Sequence, residues 1–206
     1  MTMDAKTHWE TIYTSKAPSE VSWFQARPLK SMDLIRATGI EKDAPIIDVG
    51  GGASTLADSL LDAGYRDITI LDISSAALEK AKTRLGARSA TMQWIEGDVT
   101  TVLLSHYHFD LWHDRAVFHF LTSPEDRKRY LNSLRTALKP GGHVVMATFA
   151  IDGPPRCSGL DVIRYSPDTL TKELGHDFSL LSSDQESHQT PFGTAQNFIY
   201  CHFQHK

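Results

Sequence analysis

Three acidic motifs are spaced as a nucleoside-handling site would need them. Asp48-Val49-Gly50-Gly51-Gly52-Ala53-Ser54 follows an apolar run and precedes a helical stretch. Glycines let the backbone turn tightly and approach a ligand closely, and a helix starting after such a turn offers free N–H groups to an anion. Gly50 and Gly52 fit the start of a dinucleotide-type loop, but Thr55 stands where its third glycine belongs. Asp72 lies 20 residues past Gly52, followed by Ile73, where an acid can accept hydrogen bonds from both ribose hydroxyls. Gly97-Asp98-Val99 brings another acid to accept from an adenine amino group, with Val99 beside the ring. Each acid alone could also be a helix cap.

A further reactive segment reads Trp112-His113-Asp114-Arg115-Ala116-Val117-Phe118-His119. On a helix, Arg115 and His119 would share a face. Asp114, Arg115 and His119 are candidates to grip or deprotonate a substrate, with Phe118 beside them to hold it. The competing reading is an Asp–Arg ion pair fixing the loop over a buried His119. Loop residue Arg156, then Tyr165 and His188, are expected at the substrate mouth. His106-x-His108 lacks further ligands at metal-site spacing, so no metal is expected.

These motifs need rigid supports, and the sequence supplies an alternation. Short apolar runs occur at 46–49, 68–72, 92–95, 109–112 and 143–149, with helical stretches between most of them. Unalternating apolar runs suit parallel strands covered on both faces. Ser74 or Ser75 can cap one helix, and Ser123-Pro124-Glu125-Asp126 starts another. Lys139-Pro140-Gly141-Gly142 reads as the turn into the fifth strand. Residues 178–181 and 196–203 read as two strands with no helix between them, hence an antiparallel pair at the sheet edge. Residues 1–44 read as helical cover. The fold class is α/β.

Composition narrows the class. The 206 residues favour one domain, and a net charge of −4 with no basic stripe argues against a nucleic-acid partner. No apolar run approaches the length of a membrane span. Two cysteines, 157 and 201, do not make a disulfide scaffold, and the N-terminus has no apolar signal core. A cytoplasmic location is the expectation.

The motif set resembles the class I S-adenosylmethionine-dependent methyltransferases. Asp48-x-Gly50-x-Gly52-x-Ser54 is similar to their first motif, Asp72 to their ribose acid, Gly97-Asp98-Val99 to their adenine motif, and Leu138-Lys139-Pro140-Gly141-Gly142 to their turn before strand five. The resemblance implies a Rossmann-like, seven-stranded, mostly parallel sheet with one antiparallel strand and helices on both faces. It implies S-adenosylmethionine as cofactor and S-adenosylhomocysteine as product. The cofactor set then includes Asp48, Gly50, Gly51, Gly52, Ser54, Asp72, Ile73, Asp98, Val99 and His113.

A narrower resemblance runs through His8-Trp9-Glu10-Thr11-Ile12-Tyr13 and Glu20-Val21-Ser22-Trp23-Phe24-Gln25. It looks like the start of a subgroup containing citrate synthase lysine methyltransferases and small bacterial methyltransferases, some acting on thiols. It implies Trp9, Tyr13 and Trp23 folding over the cofactor, with Phe24 toward the substrate. The expected layout is one domain: a helical lid over 1–44, a cofactor core over 45–150, and a substrate loop, helix and final strands over 151–206. Nucleic-acid amino methyltransferases carry Pro-Pro-aromatic after strand four, which this chain lacks there.

Magnitudes order the acceptors. Freeing a lysine lone pair at pH 7 costs about 4.6 kcal/mol, and ionising a thiol about 2 kcal/mol. With histidines near the site, the expectation is a small-molecule substrate, most simply a thiol; a protein lysine is the alternative.

Overall fold

Apolar runs become strands here because both of their faces are covered. The computed structural model describes residues 4–206; the first three residues of the expected lid lie outside them. The strands are β1 (Ile46–Val49), β2 (Ile68–Asp72), β3 (Gln93–Glu96), β4 (Phe109–Arg115), β5 (Leu138–Phe149), a small hairpin of β6 (Arg156–Cys157) and β7 (Leu160–Asp161), then β8 (Phe178–Gln189) and β9 (Ala195–His205). The helices are α1 (Ala5–Ser15), α2 (Leu29–Ala37), α3 (Leu56–Asp62), α4 (Ser75–Leu85), α5 (Pro124–Ala137) and α6 (Pro167–Leu174). The seven-stranded sheet has the order β3-β2-β1-β4-β5-β9-β8. Strands β1 to β5 pair in parallel, and β9 runs antiparallel between β5 and β8.

The period of two along each strand divides the core. Ile47, Trp112, Val144 and Met146 pack against Tyr130, Leu134, Leu170 and Leu174 of α5 and α6. Their neighbours Ile46, Leu111 and Val145 pack on the other face against Met32, Ile35, Leu56, Leu60 and Leu78 of α2, α3 and α4. Ser74 caps α4 by accepting from Ala77 N at 3.1 Å. Ser123 starts α5 without a side-chain cap, so Pro124 and the two acids after it define that start.

The structure moves some expected boundaries. β5 begins at Leu138, and the Lys139–Gly142 turn becomes a bulged lead-in, because the β4 partner jumps from Leu138 to His143 between Phe109 and Leu111. β8 extends to Gln189, with its register shifted around Leu181, and its middle residues 182–185 are solvent-exposed. No helix among the described residues is long and apolar enough to cross a membrane, and no metal-binding cluster occurs among them.

Candidate functional site

The carboxyl ends of the parallel strands open on a cavity of about 280 Å3. Gly50, Asp72, Ile73, Asp98 and Val99 line it from the strand ends, Arg115 and Phe120 from β4 and its following loop. Trp9, Tyr13 and Trp23 close it from the N-terminal segment, and Cys157 and Leu160 from the β6–β7 hairpin. That hairpin turns on Ser158 and Gly159, with φ of 51° and 79°. A smaller chamber of about 50 Å3 shares Tyr13, Trp23, Gly50 and Arg115 and is lined also by Phe24, Ser31, Asp48, Gly51, Ser54 and His113.

The glycine loop is forced by close packing. A Cβ on Gly50 would stand 2.1 Å from Val117 Cγ2, and Gly50 has φ of +67°. A Cβ on Gly51 would stand 2.3 Å from Asp48 Oδ2, and one on Gly52 2.4 Å from Asp72 Oδ2. The loop therefore presses its bare backbone on both acids. Thr55, where a third glycine was absent, donates to Gln25 O at 2.8 Å and ties the loop to the N-terminal segment. Ser54 Oγ accepts from Leu56 N at 3.1 Å and starts α3.

Asp72 Oδ1 accepts from Ser74 N at 2.9 Å, and burial pushes the carboxyl up to about 7. Asp98 uses Oδ1 to accept from Thr100 N and Oγ1, both at 2.8 Å. Asp48 Oδ1 lies 2.7 Å from His113 Nδ1, whose Nε2 lies 2.9 Å from Ser31 Oγ. A carboxylate oxygen accepts, so Nδ1–H donates and Nε2 takes the Ser31 proton. Asp48 Oδ2 is buried without a partner.

Residues 109–115 form a strand, which separates the residues expected to act together. His113 and Arg115 face the N-terminal segment; Asp114 points through the sheet to α5. Asp114 accepts from Val117 N at 2.9 Å, Phe118 N at 3.1 Å and Tyr130 OH at 2.5 Å. It fastens the turn after β4 and lines neither chamber. His119 sits in a short turn (Phe118–Phe120), fully buried beside Phe149 and Phe198 and outside the cavity lining. Its Nδ1 accepts from Phe149 N at 3.2 Å, and burial, with Arg115 nearby, pushes its pKa down to about 3. Neither Asp114 nor His119 is placed as a base. Of the expected substrate residues, Phe118 and Tyr165 are core side chains packed with α5 and α6. Arg156 is exposed and pairs with Asp161 at 3.0 Å. His188 donates to Ser22 O at 2.8 Å and, with Phe24, lines a separate surface depression.

The N-terminal aromatics form one cluster. Trp9 lies 5.6 Å from Trp23 and 5.0 Å from Phe120 between ring centroids, and Trp23 Nε1 donates to Tyr13 OH at 3.2 Å. Glu10, in the same segment, accepts from Ser74 Oγ at 2.8 Å and Ser75 Oγ at 3.0 Å, so α1 docks on the start of α4. The sequence reading assigns Glu10, Phe120 and Cys157 no role at the site. Glu10 and its partners are 64 and 65 positions apart, so no local pattern reports them.

Residues 46–142 match the family model described as a methyltransferase domain. The chain is thereby similar to methyltransferase domains over just under half of its length. It is 23% identical over 149 residues to the mouse eEF1A lysine and N-terminal methyltransferase, which covers 69% of this chain and 21% of that protein. The chain thus spans about a fifth of that relative's length. It is 31% identical over 105 residues to the malonyl-[acyl-carrier protein] O-methyltransferase of Anoxybacillus flavithermus, 50% of this chain and 38% of that one. Burkholderia thailandensis 1,6-didemethyltoxoflavin-N1-methyltransferase, solved with S-adenosylhomocysteine, shares the fold at a TM-score of 0.69, with 18% identity over 94% of this chain and 80% of that one.

The methyltransferase domain fits S-adenosylmethionine as its cofactor. Asp72 is a buried carboxyl with one oxygen not held by Ser74, suited to ribose hydroxyl donors. The unpartnered Asp48 Oδ2 suits the ammonium of an amino-acid end. The aromatic cluster suits a sulfonium, which an aromatic face attracts by about 0.5–2 kcal/mol.

Proposed function

We propose that this chain transfers the methyl group of S-adenosylmethionine to a small nucleophile, most simply a thiol, by in-line displacement. One observation carries the reading. A single cavity runs from the adenosyl-type acids Asp98 and Asp72 to the Trp9–Trp23–Phe120 cluster and Arg115. When bound, S-adenosylmethionine supplies a methyl group activated by positively charged sulfur. Asp72 takes the ribose hydroxyls, Asp98 and Val99 the adenine, and Asp48 the ammonium. The aromatic walls exclude water and orient the reacting end; such positioning can contribute roughly 7–11 kcal/mol.

The thiol reading is supported by what the cavity lacks. With Asp114 and His119 turned away, an acceptor that ionises cheaply is favoured: about 2 kcal/mol for a thiol against about 4.6 for lysine. The second reading is a protein lysine N-methyltransferase, which the name of the mouse relative favours. Incubation with methyl-labelled S-adenosylmethionine, a panel of thiols, phenols and amines, and whole-cell protein separates them. Label in a small thiol supports the first reading; label only in a protein band supports the second and overturns the first.

A further inference from the structure

Arg115 is held on three sides. Its Nε donates to Tyr200 OH at 2.8 Å, its Nη1 to Trp23 O at 3.0 Å, and its guanidinium lies 4.5 Å over the Phe198 ring. Tyr200 OH donates in turn to Glu186 at 2.9 Å, which Gln25 holds from the N-terminal segment at 3.2 Å. Arg115 Nη2 is buried and has no partner, although Arg115 lines both chambers. A buried charged donor left unpaired is costly, and a preorganised one is a binding group awaiting its acceptor.

We propose that the acceptor enters the cavity already as an anion, a thiolate or carboxylate, and that the Arg115 guanidinium is the cation that holds it. This rests on the methyl-transfer reading above and names its substrate class. The other ionisable groups of the wall are committed elsewhere. Asp72 and Asp98 belong to the adenosyl end, and Asp126 pairs with Arg129 at 2.5 Å. Tyr13 OH accepts from Trp23, and burial pushes the Cys157 thiol up to about 11. Glu186, His119 and His188 lie near Arg115 but outside the lining of both chambers, and an ammonium acceptor would meet a fixed like charge. An anion needs no base. Its lone pair forms the bond to the methyl carbon as the carbon–sulfur bond breaks and that electron pair returns to sulfur. Negative acceptor and positive sulfonium become two neutral products, and no proton moves.

The test uses one ring with different charges on the intact protein saturated with S-adenosylhomocysteine: benzenethiolate, benzoate, benzamide and benzylammonium, measured by calorimetry. The expected result is that at least one anion binds about tenfold tighter than benzamide. Arg115→Gln erases that preference, Arg115→Lys restores part of it, and S-adenosylhomocysteine affinity stays within about twofold in both. Tyr200→Phe, which keeps the charge but frees Nε, gives an intermediate preference and covers the case in which Arg115→Gln does not fold. Strongest binding by benzylammonium overturns the proposal, as does equal binding of the anions and benzamide. Loss of S-adenosylhomocysteine binding in Arg115→Gln, with 5′-methylthioadenosine binding retained, overturns it by giving Arg115 to the cofactor's amino-acid end. Failure of the unaltered protein to bind S-adenosylhomocysteine overturns the methyl-transfer reading itself.

Discussion

The Glu10 carboxylate on α1 accepts a hydrogen bond from Ser74, the residue that caps α4. Glu10 also accepts from Ala76 N at 3.2 Å, and these donors hold its pKa below the usual carboxylate range. The contact ties the N-terminal segment to Ser74, which itself donates to Asp72 at the end of β2. Glu10→Ala is expected to leave the fold intact and weaken S-adenosylhomocysteine binding by about tenfold. Calorimetry beside far-ultraviolet circular dichroism checks it; unchanged affinity would show that α1 docks without this link.

Asp72 is expected to give cofactor binding a pH dependence. Burial holds its carboxyl at about 7, above the ordinary aspartate value of 3.8, so the free fold holds a proton that the unfolded chain releases. The free protein therefore loses stability from this group as pH rises between those values. Accepting from two hydroxyls favours the ionised form, so affinity for S-adenosylhomocysteine should rise about tenfold per pH unit up to roughly pH 7 and then level off. Asp72→Asn should cut affinity at pH 7.5 by about tenfold or more and flatten that rise.

Gly52→Ala tests the loop's closeness to Asp72. The added carbon would meet Asp72 Oδ2 at 2.4 Å and Ala77 Cβ at 2.6 Å, so loop and α4 must separate. The expected cost is about 1–3 kcal/mol of stability, read by urea unfolding, together with loss of cofactor binding. Binding at the original affinity would mean that the loop relaxes freely.

His119 should matter for acid stability and not for the reaction. Burial holds its ring at about 3, below the ordinary histidine value of 6.5. The unfolded chain therefore gains protons first, and this contribution, whole above pH 6.5, is lost by roughly 1 kcal/mol per unit as pH falls toward the folded value. His119→Phe should flatten that acid limb and leave the pH profile of methyl transfer unchanged between pH 6 and 9. A shifted rate profile would return His119 to the chemistry.

Asp114→Ala leaves Val117 N, Phe118 N and Tyr130 OH without their acceptor. Stranding those donors should lower stability by roughly 3 kcal/mol, measured by denaturant unfolding. Asp114→Asn, which keeps an acceptor oxygen, should cost less. Equal losses in the two variants would place the effect in the charge.

The strands and the carboxyl-rim acids were legible because parallel strands leave continuous apolar runs and their ends carry the polar groups. Asp48, Asp72 and Asp98 fall on three neighbouring strand ends. Around residues 113–119, sequence reading failed for one reason. Helical spacing pairs Arg115 with His119, whereas a strand's period of two pairs His113 with Arg115 and turns Asp114 away. The choice between those periods was made by pairing with β1 and β5, which no local window contains. Likewise the Arg115–Tyr200–Glu186 chain joins β4, β9 and β8 across 85 and 14 positions. Only the completed sheet brings it together.

Of the sheet's two edge strands, β8 has a consequence for pairing between molecules. An open sheet border offers unpaired backbone groups to any passing extended chain. Here that border carries Ser182, Ser183, Asp184 and Gln185, and its ladder slips at Leu181. Hydroxyls, a carboxylate and an irregular rung make poor templates for stacking. The β8 border can thus resist strand addition without any change at the strand ends that line the cavity.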